Sequence, residues 1–217
     1  MRLYIYHHCP FCLRAVMVAN YKNVEHETVF LLNDDEDSCF RLINAKQVPI
    51  LEFADGGAMA ESLDIAHQFD ELGDASKVMR AACGAEAFTQ AFNQVNAAFL
   101  ALFYPRCLAV GLPEFMSEEA THYFRVKKEK ALGQSFADAM AATPKHLASI
   151  QAMLNALPAP ALPSAHGNTL SWDDLLIFPT LRNLTLVQGL TFPAPLLSYL
   201  SEVSELCDCP LYFDQAI

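Results

Sequence analysis

The chain has 217 residues, 53% hydrophobic and 18% charged, which is core enough for one large domain or two small ones and excludes intrinsic disorder. Twenty-five acidic residues against fourteen basic ones give a formal charge of −11, which repels nucleic-acid phosphates and anionic membrane surfaces; neither nucleic acid nor membrane is an expected partner. No apolar run approaches the roughly 18 residues of a membrane span.

The charge is uneven, net −8 over residues 1–75 and −3 over residues 76–217, and points to two units. Seven cysteines, an odd number at irregular spacing, do not read as a disulfide framework. The apolar N-terminus is interrupted by His7, His8, Cys9 and Pro10, with no small-residue cleavage site after it, so it does not read as a signal peptide. The expectation is a reducing, cytoplasmic compartment.

In chain order, Arg2–Tyr6 is a β-rich run ended by His7-His8-Cys9-Pro10, and Leu13, Val16 and Met17 then fall at helical spacing. Glu25–Leu32 reads as a second strand, followed by an acidic loop at Asn33–Asp37 and a short helix over Ser38–Asn44. Val48–Phe53 reads as a third strand, Ala54-Asp55-Gly56-Gly57 as a hairpin turn and Ala58–Ala60 as a fourth strand, before a helix over Ser62–Leu72. Beyond residue 76 only helical periodicity remains, over 76–104, 116–141 and 144–156. A proline-rich loop at Ala156–Asn168 precedes Ser171-Trp172-Asp173-Asp174, a capping box framed by Leu170 and Leu175, which starts a helix expected to reach Val187; a last helix spans Pro195–Leu206. The predicted organisation is an α/β domain over 1–73 and an all-α domain over 74–217.

The chemistry concentrates in Cys9-Pro10-Phe11-Cys12. Seven cysteines scattered at random give roughly 0.2 such spacings, so the pair counts only through its context. It stands between the first strand and first helix with Pro10 suited to the first helical position, which makes Cys9 the N-cap and places Cys12 one turn inside. Unpaired N–H groups and the positive end of the helix dipole favour a thiolate there. Arg2, His7, His8, Arg14 and Lys22 all precede Glu25, the first acidic residue, so a locally basic setting is expected as well. No second Cys-x-x-Cys with zinc spacing exists, and no metal is expected. Cys207 and Cys209 read as incidental, and Cys39, Cys83 and Cys107 as packed or idle thiols.

The order strand, Cys-Pro-Phe-Cys, helix, strand, helix, Val48-Pro49, hairpin, Glu61-Ser62 resembles a glutaredoxin with the thioredoxin-like fold. The added helical domain and its capping box resemble the glutathione S-transferases. With Leu31–Asp35, Lys46–Leu51 and Leu181–Val187, the chain is similar to the glutaredoxin 2 family of two-domain bacterial glutaredoxins. It departs from the glutaredoxin pattern at Phe11, where that family usually has Tyr.

The resemblance implies a thioredoxin-like N-terminal domain, a glutathione S-transferase-like architecture and glutathione-dependent reduction of disulfide-bonded or glutathionylated proteins by a monomer. Cys9 and Cys12 are implied as catalytic, and glutathione as co-substrate with no bound cofactor. Pro49 matches the family's cis-proline, leaving the Val48 backbone to pair with the cysteinyl unit of glutathione. Glu61 is implied to hold its amine, Ser62 its γ-glutamyl carboxylate and Lys46 its glycine carboxylate. Tyr6 stands where many small glutaredoxins carry a lysine, and His8 is the one residue nearby to replace that cation. Three other readings are a cysteine-type glutathione transferase or dehydroascorbate reductase, which needs no Cys12, a non-enzymatic interaction protein on the same fold, and an iron–sulfur binder.

Overall fold

The computed structural model describes all residues, Met1–Ile217. It divides into two compact units, Met1–Val78 together with Gly111–Phe124, and Met79–Val110 together with Arg125–Ile217. The first unit is therefore discontinuous: the chain leaves it after Val78 and returns for fourteen residues.

In the first unit a four-stranded sheet has the order β2-β1-β3-β4, with β1 (Arg2–Ile5) parallel to β2 (Glu27–Phe30) and antiparallel to β3 (Ile50–Glu52), which pairs antiparallel with β4 (Ala58–Met59). β1 is an inner strand, and Leu3, Tyr4 and Ile5 are all buried, as expected when both faces of a sheet are covered. Tyr4 pairs with Ile50, and on one face these two pack with Leu31 and Cys39, joined by Leu42 and Ile43 of α2 (Glu36–Ile43) and by Val48. Leu3 and Leu51, one residue along in register, are fully buried on the other face. α1 (Pro10–Tyr21) packs on α3 (Ser62–Leu72). Gly73 ends α3 where an added Cβ would lie 2.5 Å from the Lys22 Cβ, so a side chain there is excluded. This is the predicted thioredoxin-like α/β arrangement. α2 starts two residues earlier than the pattern suggests because the Asp35 carboxylate accepts the Ser38 N–H at 2.9 Å and caps it.

The second unit is helical: α4 (Glu86–Ala109), the end of α5 (Glu118–Leu132), α6 (Phe136–Ala141), α7 (Thr143–Ala156), α8 (Asp174–Leu184) and α9 (Ala194–Cys207). None of these helices is long and apolar enough to cross a membrane. Residues 76–85, expected to be helical from their alanines, are not. Arg80 bridges Ser171 instead, and the buried Asp173 carboxylate accepts the N–H groups of Cys83, Gly84 and Ala85 at 2.7, 3.1 and 3.2 Å, holding this stretch open up to the start of α4.

The predicted capping box forms at α8. Ser171 Oγ accepts the Asp173 N–H at 3.2 Å and Asp174 accepts the Ser171 N–H at 2.7 Å, with Leu170 and Leu175 fully buried. α8 stops at Leu184 rather than Val187, as the N–H groups of Thr185, Leu186 and Val187 each bond three residues back and tighten the turn.

Asp173 thus serves one helix while standing beside the cap of another. Asp173→Ala should cost about 3 kcal/mol, since it strands three N–H groups, whereas Ser171→Ala should cost about 1 kcal/mol. Urea midpoints of the two variants measure the difference.

Candidate active site

β1 ends, the chain turns through His7 and His8, and α1 begins at Pro10, whose absent N–H and fixed φ suit the first helical position. Cys9 is the N-cap, with extended backbone (φ −74°, ψ 119°), its N–H donating to the Tyr6 carbonyl at 3.2 Å and its Sγ accepting the Cys12 N–H at 3.4 Å. A sulfur thus does what a serine or aspartate oxygen does at an ordinary helix start.

Cys9 is half-buried and Cys12 buried. The Cys9 thiol is brought down from its usual range to about 6, chiefly by a hydrogen bond from Cys12, with help from the positive field of His8 and the backbone N–H groups of Cys12 and Phe11, and against burial. Cys12 moves the opposite way: burial, followed by its bond to Cys9 and the charge of Cys9, pushes it well above the usual thiol range. At neutral pH one thiol is a thiolate and its neighbour keeps the proton, the division that a nucleophile and a resolving group require.

The expected basic setting is narrower than the sequence suggests. Arg2 lies at the far end of β1, paired with Glu27 at 2.9 Å, and Lys22 is buried beyond α1 with Asp70 at 2.8 Å. The basic residues near Cys9 are His8, whose field lowers it, and Arg14 on the second turn of α1. Arg14 donates to Ser62 Oγ at 3.4 Å and lies 4.7 Å above the ring of Phe11, which is 52% exposed.

The other residues singled out from the sequence lie in the same unit. The Val48–Pro49 bond is cis. Glu61 precedes α3 with φ of 70°, in the left-handed region that a non-glycine residue occupies at a cost of order 1 kcal/mol or more. Its side chain makes no capping bond and instead accepts from Gln47 Nε2 at 2.9 Å. Ser62 is the first residue of α3 and is buried.

Lys46 is not a freely solvated lysine. Its Nζ donates to Tyr6 Oη at 2.9 Å and to the Asp35 carbonyl at 2.8 Å, and it lies over the rings of Tyr6 and Tyr123. Burial raises the Tyr6 phenol far above its usual range, so it remains protonated. His8 does not replace the missing lysine at the surface: its side chain is buried against the carboxylate of Glu114, about a hundred residues away in sequence. The one local signal for Glu114 is that it is the only charged residue in the run Cys107–Met116. Cys207 and Cys209 are buried in the second unit, with burial pushing Cys209 up to about 12, as suits packed thiols.

Comparison with known proteins gives the same frame. Residues 87–216 match the family described as "Glutaredoxin 2, C terminal domain" and residues 8–72 match "Glutathione S-transferase, N-terminal domain". Glutaredoxin 2 of Escherichia coli strain K12 is 37% identical over 218 aligned residues, covering 100% of both chains. The crystal structure of glutaredoxin 2 from Salmonella typhimurium, solved in complex with glutathione, superposes with a TM-score of 0.90 at 35% identity, covering 100% of this chain and 98% of that one. A glutathione transferase from Phanerochaete chrysosporium has a TM-score of 0.60 at 14% identity over 94% of this chain and 97% of its own, a likeness of fold. With the thiol pair, the fold and a full-length match in agreement, the chain belongs to the glutaredoxin 2 family of glutathione-dependent disulfide oxidoreductases.

Proposed function

We propose that this glutathione-dependent disulfide oxidoreductase works through Cys9 as nucleophile and Cys12 as resolving thiol. The observation that carries the reading is the opposite displacement of the two thiols, Cys9 down to about 6 and Cys12 well up, on adjacent turns of one helix start. The Cys9 thiolate attacks one sulfur of a substrate disulfide; that bond breaks, a thiolate leaves and takes a proton, and a mixed disulfide forms on Cys9. Capturing Cys9 removes the charge and the hydrogen bond that hold the Cys12 proton in place, so Cys12 is released to act only once it is needed. Cys12 then loses its proton and attacks Cys9 Sγ. The substrate leaves as its second thiol, two electrons having passed to it, and Cys9 and Cys12 are left as a disulfide. One glutathione reopens that disulfide by bonding to Cys9, and a second removes the first as oxidised glutathione.

Glutathione is the reductant of this cycle, and the glutathione complex of the Salmonella relative supports a site for it in this chain. In this reading the Val48 backbone, beside Pro49, pairs with the cysteinyl unit. Ser62 takes the γ-glutamyl carboxylate at the N-terminus of α3, where the helix dipole and the Arg14 guanidinium favour an anion. Glu61, its carboxylate oriented by Gln47, takes the amine. Lys46, fixed by Tyr6 and the Asp35 carbonyl, is a preorganised cation for the glycine carboxylate. Protein substrates, disulfide-bonded or glutathionylated, meet an apolar rim of exposed Phe11 and of Phe30, which lies 6.0 Å from the His7 ring. In this reading one chain supplies every group of the site and acts as a monomer, and a thiol cycle fed by glutathione suits the cytoplasm.

Alkylation of the reduced protein by iodoacetamide should titrate at Cys9 with a midpoint near pH 6, the rate rising as the thiol deprotonates, while Cys12 stays unmodified. Mass spectrometry that finds Cys12 labelled first reverses the assignment. Cys12→Ser treated with oxidised glutathione should carry one glutathione at Cys9 and still deglutathionylate substrates. Its reduction of protein disulfides should fall by about a hundredfold, because an external thiol replaces an intramolecular one. Glu61→Ala and Ser62→Ala should each raise the glutathione concentration for half-maximal turnover about tenfold with melting temperatures little changed; a matching loss of stability assigns both to the helix start instead.

A further inference from the structure

Glu114 takes no part in the thiol cycle, yet it is the most completely buried charged residue of the chain. Desolvating a carboxylate costs several kcal/mol unless donors replace the lost water, and an apolar side chain in the same place avoids that cost. Three donors converge on it: the His7 N–H at 3.1 Å, the His8 N–H at 3.0 Å and His8 Nδ1. All three belong to two of the three residues that join β1 to Cys9, His7 and His8. The Glu114 carbonyl also accepts the Asn33 N–H at 2.9 Å, so the residue ties this turn to the loop that leads into α2.

Burial pushes the Glu114 carboxyl up, but the bonds and charge of His8 outweigh it and leave the group below the usual carboxylate range, hence ionised at neutral pH. An ionised carboxylate only accepts, so His8 Nδ1 carries a hydrogen. The imidazole is then fixed in place, stacked on Tyr6 (5.8 Å between centroids) and Phe115 (5.3 Å) and edge-on to Phe124 (5.3 Å).

Glu114 can act on the thiols by two routes of opposite sign. As a bare negative charge it disfavours a thiolate, and that is its direct effect on Cys12. Through His8 it favours one, since the field of His8 lowers Cys9. The other ionisable groups around the turn are Tyr6 on the β1 side, Cys12 and Arg14 on α1, Cys39 on α2 with Lys46 beyond it, and Tyr123, which faces Tyr6. Tyr6 is protonated, Arg14 and Cys9 attract one another, and Glu114 accepts from both the His7 and the His8 backbone N–H.

We propose that Glu114 is a positioning residue for the Cys9 nucleophile: its carboxylate clamps the His7–His8 turn and aims His8 so that the route through His8 outweighs the direct one. This rests on Cys9 being the nucleophile. It assigns a part in the chemistry to a segment a hundred residues away in sequence.

The test compares Glu114→Gln in the full-length protein, alone and combined with His8→Phe, with wild type and Cys9→Ser, reading the pH dependence of iodoacetamide alkylation at Cys9, disulfide reduction and the melting temperature. Glutamine keeps the shape and an oxygen for the backbone donors but not the charge that holds His8. The Cys9 midpoint should rise by about one pH unit in Glu114→Gln, so that reduction measured below the midpoint falls about tenfold and recovers toward pH 9. In the His8→Phe background the same substitution should not raise the midpoint. Should Glu114→Gln fail to fold, Glu114→Asp keeps the charge but withdraws it by one methylene, and it too should raise the midpoint. A lower melting temperature with an unchanged midpoint would make Glu114 a structural clamp and nothing more, and a lowered midpoint would mean the direct charge dominates; either overturns the proposal. Full activity in Cys9→Ser would instead overturn the choice of nucleophile, whatever the Glu114 variants do.

Discussion

The helix start at Cys9 is the constraint around which the first unit is arranged. A helix leaves its first N–H groups without partners, and some acceptor must meet them. Here one acceptor is a sulfur, reached by the Cys12 N–H, and Pro10 removes a second donor from the problem. In the proposed assignment the stabilising group is also the reactive group, so that folding α1 and activating the nucleophile are one event. A serine in that place would cap the helix at least as well and would perform no redox chemistry, so the choice of sulfur is set by the reaction rather than by the helix.

Under the proposed mechanism, a protein of charge −11 has to hold a thiolate and favour an anionic reductant. The structure does this with few cations placed close, not with a basic surface. Arg14 reaches Ser62 at the start of α3, Lys46 is held by Tyr6 and a backbone carbonyl, and His8 is buried against a carboxylate. Each of these basic groups is fixed by a hydrogen bond, which matters because a mobile surface charge is screened within about 8–10 Å at physiological salt. Net charge therefore says little about the local field at Cys9.

The sequence made the short-range part of this legible. Cys9 as N-cap, Pro10 at the first helical position, the hairpin after β3 and the capping box of α8 are each written within about six residues, and the structure has them where the pattern places them. What escaped was non-local. Arg2 and Lys22 are near Cys9 in sequence and away from it in space, each with its own acidic partner. The alanines of residues 76–85 favour a helix, yet an aspartate about ninety residues later takes the N–H groups of Cys83–Ala85. Glu114 sits among apolar residues with nothing nearby to say that its partners are at positions 7 and 8.

The discontinuity of the first unit has a consequence for how the protein is made. A ribosome adds residues at about 5–20 per second, so roughly 5–20 seconds separate the emergence of the Cys-Pro-Phe-Cys turn from that of Glu114. For about the second half of that interval, once β4 has been made, the sheet and α1 have all their residues, but the donors of His7 and His8 have only water to meet them. The nascent chain thus carries its thiols before the residue that accepts from their turn exists, and the whole of α4 is synthesised between the two.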